Sequence, residues 1–105
     1  METKNAIIEK ASIENVGNGS LSAYLTLSYG HHAQQEFVGH ALYSPDVFNY
    51  AGSFLWRVMQ IAGVKRWQDL PGKTVRVRCE PAAIHAIGHI VEDDWFCPSL
   101  DWKET

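Results

Sequence analysis

The residues between Ala83 and Pro98 concentrate most of the chemically capable side chains of this chain: His85 and His89, the adjacent acids Asp93 and Asp94, and the turn Trp95-Phe96-Cys97-Pro98. Histidines with cysteines can ligate zinc, and a cysteine beside a histidine and an acid can act as a nucleophile. Paired carboxylates can hold a divalent cation, and imidazoles near arginines can hold an anion. Spacing separates these options. Ile84, Ile87, Ile90 and Val91 make the segment read as a strand, and at about 3.3 Å per residue positions four apart lie about 13 Å apart. His85 and His89 then share a sheet face but cannot ligate one ion unless a bulge brings them together. Gly88 stands between them, where a bulge or a close approach of another group is expected.

A zinc site from His85, His89, Cys97 and Cys79 meets a second objection, because Cys79 alternates with Val75 and Val77 on the apolar side of its strand and the chain has no Cys-x-x-Cys pair. Cys97, with His89 and Asp93 or Asp94, has the components of a nucleophilic group. Its neighbours Trp95, Phe96 and Pro98 instead describe a packed corner, without a Gly-rich oxyanion loop. Asp93 and Asp94 lack the third carboxylate or phosphate loop that a Mg²⁺ site needs, and read as solvated acids at a strand end. His31-His32 reads as a solvated loop. No catalytic residue, metal or cofactor is therefore expected, and the protein reads as a non-enzymatic binder.

Two surfaces remain. Arg76 and Arg78 lie two apart on one strand, about 7 Å, which suits a phosphate or carboxylate. His85 and His89 join them if the last strand runs antiparallel alongside, making Arg76, Arg78, His85 and His89 the anion-binding candidates. The competing reading is an exposed strand face with Arg paired to Glu80. Asp93, Asp94, Trp95 and Phe96 are the candidates for contact with a protein partner.

The elements that must position these residues follow from period and punctuation. Ala6–Val16 reads as a strand, Gly17–Ser20 as a hairpin turn, and Leu21–Tyr29 as a strand with Leu21, Ala23, Leu25, Leu27 and Tyr29 on one side. After a polar connection, Gly30–Gln35, a third strand is expected over Glu36–Leu42, then a turn at Tyr43–Asp46 and an irregular stretch Val47–Ala51. Ser53–Ala62 is the main helix, with Phe54, Leu55, Val58, Met59, Ile61 and Ala62 at helical spacing, Arg57 and Gln60 on the wet side, and Gly63 past its end. A short helical turn at Lys65–Asp69 precedes strands Thr74–Glu80 and Ala83–Val91. The tail from Glu92 carries Trp95, Phe96, Leu100 and Trp102, part of which should pack down. The expectation is one α+β domain over residues 1–105: a five-stranded, mostly antiparallel sheet in the order β-β-β-α-β-β with one main helix on one face.

Composition bounds the function. Over 105 residues, 46% hydrophobic and 20% charged content describe a single folded domain. A net charge of −3 with nine basic residues argues against direct nucleic-acid binding, while acidic character favours encounter with basic surfaces. Two cysteines, no leader pattern and no long apolar run argue for a reducing cytoplasm with free thiols and no membrane span. Surplus aromatic area is consistent with a homodimer.

Three stretches carry a family resemblance: Phe54-Leu55-Trp56-Arg57-Val58-Met59 with Ala62-Gly63-Val64; Gly72-Lys73-Thr74-Val75-Arg76-Val77-Arg78; and His85-Ala86-Ile87-Gly88-His89-Ile90-Val91 with Asp93-Asp94-Trp95-Phe96-Cys97-Pro98. In these the chain resembles a family of small proteins encoded by tailed bacteriophages and prophages, over nearly its whole length. Family members tend to be Gly-rich where this chain keeps only Gly30 and Gly39 between Gly30 and His40, so a phosphate cradle there is not expected. The resemblance implies an accessory protein acting in the bacterial host cytoplasm, against a defence protein as an anti-CRISPR-like inhibitor or against a nucleotide second messenger as a sponge. The alternatives are a metal- or Cys-dependent enzyme of phage nucleic-acid metabolism, or a structural or assembly factor without a ligand.

Overall fold

The computed structural model describes residues 2–17, 20–29, 33–44, 48–49, 51–80 and 83–98. In chain order the elements are β1 (Glu2–Gly17), β2 (Ser20–Tyr29), β3 (Ala33–Ser44), β4 (Phe48–Asn49), α1 (Ala51–Ala62), a 3-10 turn (Trp67–Asp69), β5 (Thr74–Glu80), β6 (Ala83–Gly88) and β7 (Trp95–Phe96). All strands join one antiparallel sheet, ordered β4-β3-β2-β1-β5-β6-β7. The α+β class and the single main helix agree with expectation, but the sheet has more than five strands. The additions, β4 and β7, are two-residue strands at its two edges. Two residues cannot display a period, so only pairing with a neighbour reveals them.

Boundaries differ where pairing overrides polarity. β1 begins at Glu2 rather than Ala6 because its polar start pairs with β5, from Glu2 opposite Cys79 to Ile7 opposite Thr74. β3 starts at Ala33, inside the expected connection, and α1 begins at Ala51. β6 stops at Gly88 rather than Val91. The centre of the Gly17–Ser20 turn, the His31-His32 pair, the Pro45-Asp46 turn and the tail residues Leu100 and Trp102 lie outside the described residues.

The period-two segments bury one side as expected. Ala23, Leu25, Leu27 and Tyr29 on β2 and Val75, Val77 and Cys79 on β5 are all in the core. α1 lays Phe54, Val58 and Ile61, one helical stripe, against them. Phe54, Phe37 and Phe96 form a three-ring cluster with centroids 5.7 to 6.0 Å apart. Each large apolar side chain fully buried here contributes about 1.5–3 kcal/mol. Gly63, at φ 73°, ends the helix, and the Val64 N–H donates back to the Met59 carbonyl at 3.0 Å. That left-handed position suits glycine.

β3 and β6 are not neighbours in the sheet yet come into contact, so the sheet curls into a half-barrel around this core. Its outer side carries the opposite alternation. Two rows cross it at the β7 edge: Asn5–Arg76–Gly88–Trp95, and Thr3–Arg78–Ala86. Among the described residues no helix is long and apolar enough to cross a membrane.

Candidate functional site

The turn between β6 and β7 is tied by its own polar groups. The His89 N–H donates to the Asp94 carbonyl at 3.0 Å. His89 Nδ1 accepts the N–H groups of Val91 (3.0 Å) and Glu92 (2.9 Å). Arg76 clamps the turn from β5: its Nε donates to the His89 carbonyl at 2.7 Å and its Nη2 to the Glu92 carbonyl at 2.6 Å.

Arg57 clamps it from the helix. Its Nη2 donates to Asp94 Oδ1 at 3.0 Å and to the Trp95 carbonyl at 2.8 Å, and its guanidinium lies 5.7 Å from the Phe96 ring centroid. Arg57 was expected on the wet side of α1, but its side chain is only 23% exposed. The signal was present: Arg57 is three residues after Phe54 and four before Ile61, so it borders the apolar stripe. The Arg57 guanidinium holds the Asp94 carboxyl below the usual carboxylate range, first by hydrogen bonding and then by charge, with partial burial opposing and His89 adding a smaller pull downward.

Between these clamps Trp95 lies against Gly88. A Cβ on Gly88 would stand 2.6, 2.7 and 2.9 Å from indole carbons Cε3, Cδ2 and Cε2. The indole Nε1 donates to Asp93 Oδ1 at 3.1 Å. Arg78 lies above the ring with Cζ 3.9 Å from its centroid, and Arg76 Cζ stands at 5.0 Å. The close approach expected at Gly88 is thus to a side chain. The bulge lies elsewhere, where the β5–β6 register slips between Arg78 and Cys79 and leaves His85 unpaired in the ladder.

The structure brings Arg76, Arg78 and Trp95 together, but the four anion-binding candidates do not converge. His85, set out by the bulge, places Nε2 at 2.9 Å from Glu80 Oε1. His89 Nδ1 and two donors of Arg76 serve the turn's backbone. Arg78, exposed, has no hydrogen-bond acceptor among the described residues. The four partner-contact candidates also divide. Phe96 is fully buried in the ring cluster and serves the core rather than a contact surface. Asp94 is tied to Arg57, while Asp93 is exposed and Trp95 half-buried. The reason is the alternation across β7, which turns Trp95 outward and Phe96 inward.

Cys79 is buried beside Tyr29, and burial first, then Cys79, pushes the Tyr29 hydroxyl up from its ordinary value. Among the described residues no three His, Cys, Asp or Glu side chains stand together as a metal site. Comparison of the chain with family models, with curated proteins and with solved structures returned no match.

Proposed function

We propose that this protein is a non-enzymatic binding protein of tailed-phage or prophage origin, which inhibits a component of a bacterial defence system in the host cytoplasm by docking on a protein. One observation carries the docking reading: the Arg78 guanidinium laid 3.9 Å over the Trp95 ring on the outer sheet face. Tryptophan and arginine are the residue types that most often anchor protein interfaces. The stacked guanidinium keeps its N–H edge available for a carboxylate on the partner. Exposed apolar side chains also lie on this face and turn: Ile7 on the neighbouring strand β1, and Ile90 and Val91 in the β6–β7 turn, the last 77% exposed. Asp93 and Glu92 add acids at the rim.

Two further points support the reading. His89, Asp94 and Arg76, which a catalytic centre would draw on, already hold the turn together. The divergence of His85 and His89 from Arg78 favours a protein partner over nucleotide capture on this face. The phage setting rests on the motif resemblance described above.

The test uses purified protein carrying Arg78→Glu. Partners retained from host lysate by the native protein are identified, purified and titrated against both forms. Loss of at least tenfold in affinity, with an unchanged unfolding transition, supports the reading. A partner bound equally by Arg78→Glu, or none retained by the native protein, sinks it.

A further inference from the structure

Two depressions meet where α1 ends, away from the Arg78–Trp95 pair in the chain and in composition. The first, of about 290 Å³, is walled by Trp56, Met59 and Val64, with Lys65 at its margin. The second, more open and of about 670 Å³, is bordered by Lys65, Arg66 and Lys73, with Asp69 as its acid. Val64 and Lys65 line both, so an apolar compartment adjoins a cationic one.

The sequence builds this junction locally. Trp56, Met59 and Gln60 fall three and four apart on α1, off the Phe54–Val58–Ile61 stripe that faces the core. Gly63 then turns the chain and delivers Val64 and Lys65 to the end of that surface. Lys73 is held from the other side, because its turn is bonded to β1: Gly72 N–H donates to the Ile8 carbonyl at 2.7 Å, and Ile8 N–H to the Lys73 carbonyl at 2.8 Å. Arg66 satisfies Asp69 through two donors, at 3.1 and 3.3 Å. The acid is thereby balanced, and the ammonium groups of Lys65 and Lys73 have no carboxylate partner among the described residues. Lys65, Arg66 and Lys73 are three of nine basic residues in a chain of net charge −3, so their meeting at one depression runs against the overall charge. Trp56 is 64% exposed and makes no ring or cation contact among the described residues, an unusual position for a tryptophan.

We infer that this two-part surface binds a nucleoside phosphate, with the base against Trp56 and the phosphate between Lys65 and Lys73. A planar aromatic group joined to an anion satisfies both compartments at once. A free inorganic anion satisfies only the cationic part, and an aliphatic ligand only the apolar part. Base–aromatic stacking tolerates any base, and ammonium groups serve phosphate as point charges, so the surface selects the class rather than one nucleotide. A free nucleotide and a single-stranded nucleic acid present this same chemistry.

Titration calorimetry with ATP, AMP, inorganic phosphate and a short single-stranded oligothymidylate tests the inference. ATP or the oligonucleotide is expected to bind, more tightly than AMP and far more tightly than phosphate. Trp56→Ala should weaken binding on the order of tenfold. Lys65→Glu with Lys73→Glu should weaken it further and flatten its salt dependence. Arg78→Glu should leave it unchanged, which keeps this result separate from the docking test above. Trp56 is mostly in solvent, and an unchanged melting curve confirms that its Ala variant folds. Binding by ATP points to a free nucleotide and binding only by the oligonucleotide to a strand; either supports the inference if Trp56→Ala weakens it. Native protein that binds neither at millimolar concentration overturns it, as does binding that Trp56→Ala leaves intact.

Discussion

Gly88→Ala tests the central contact of the outer face directly. The new methyl carbon would stand 2.6 to 2.9 Å from three indole carbons of Trp95, where carbon contacts settle at about 3.5–4.0 Å. The ring must therefore retreat by about 1 Å. It cannot do so freely: Arg57 holds the Trp95 carbonyl at 2.8 Å, Asp93 holds Nε1 at 3.1 Å, and Arg78 covers the ring at 3.9 Å. Overpacking of this kind costs about 1–3 kcal/mol, and each kcal/mol lowers Tm by about 4–8 °C in a domain near this size. The assay is urea unfolding of four proteins: native, Gly88→Ala, Trp95→Ala and the double variant. With the indole gone, the three nearest atoms that the alanine would meet are removed, and Gly88 carries no positive φ. In that background Gly88→Ala should be neutral or stabilise by about 0.4–1 kcal/mol, because it restricts the unfolded chain. The sign of the substitution thus reverses with Trp95. An equal cost in both backgrounds would refute the packing of indole on glycine.

Three further outcomes follow from the clamps and the core. Arg57→Ala should destabilise by about 1–2 kcal/mol, since it removes charge-assisted bonds to Asp94 and the Trp95 carbonyl at a partly exposed site. Asp94, whose carboxyl is held below its ordinary value, binds fewer protons folded than unfolded, so its stabilising effect is present above the unfolded carboxylate range and fades as pH falls through the folded value. Asp94→Asn should flatten that acid limb in pH-dependent unfolding, and an unaltered limb counts against the pair. Tyr29 has the opposite sign: raised chiefly by burial, it keeps its proton longer when folded, so stability is intact below the unfolded value of about 10 and declines as pH rises toward the folded one. Tyr29→Phe should remove that alkaline decline, read from the midpoint of urea unfolding between neutral and alkaline pH.

Much of the fold was legible because it depends on local period. The alternation of Val75, Val77 and Cys79 against Arg76 and Arg78 places β5 at Thr74–Glu80 as expected, and the spacing of Phe54, Val58 and Ile61 defines the buried stripe of α1. The shared outward side of Arg76 and Arg78 follows from the same reasoning, and the antiparallel β5–β6 pairing, which the sequence posed only as a condition, is present. The fates of His85, His89, Asp94 and Phe96 did not follow. Each turns on a one-residue event: a bulge at His85, a turn starting at His89, a helix arginine meeting Asp94, and a two-residue strand that faces Phe96 inward.

By itself, then, the amino-acid order determined which segments extend and which coil, and which side of each is apolar, because those properties repeat every two or three to four residues. The tertiary structure decided which polar groups were left available. Hydrogen bonds between distant elements consumed Arg57, Arg76 and Asp94, bonds within the β6–β7 turn consumed His89, and close packing on Gly88 set Trp95 under Arg78. No period in the chain records such meetings, since a bulge or turn of one residue changes the face that a side chain occupies. The segment richest in chemical groups holds its own fold together with most of them, and offers Asp93 and Trp95, the latter under Arg78 of β5, on its outer surface.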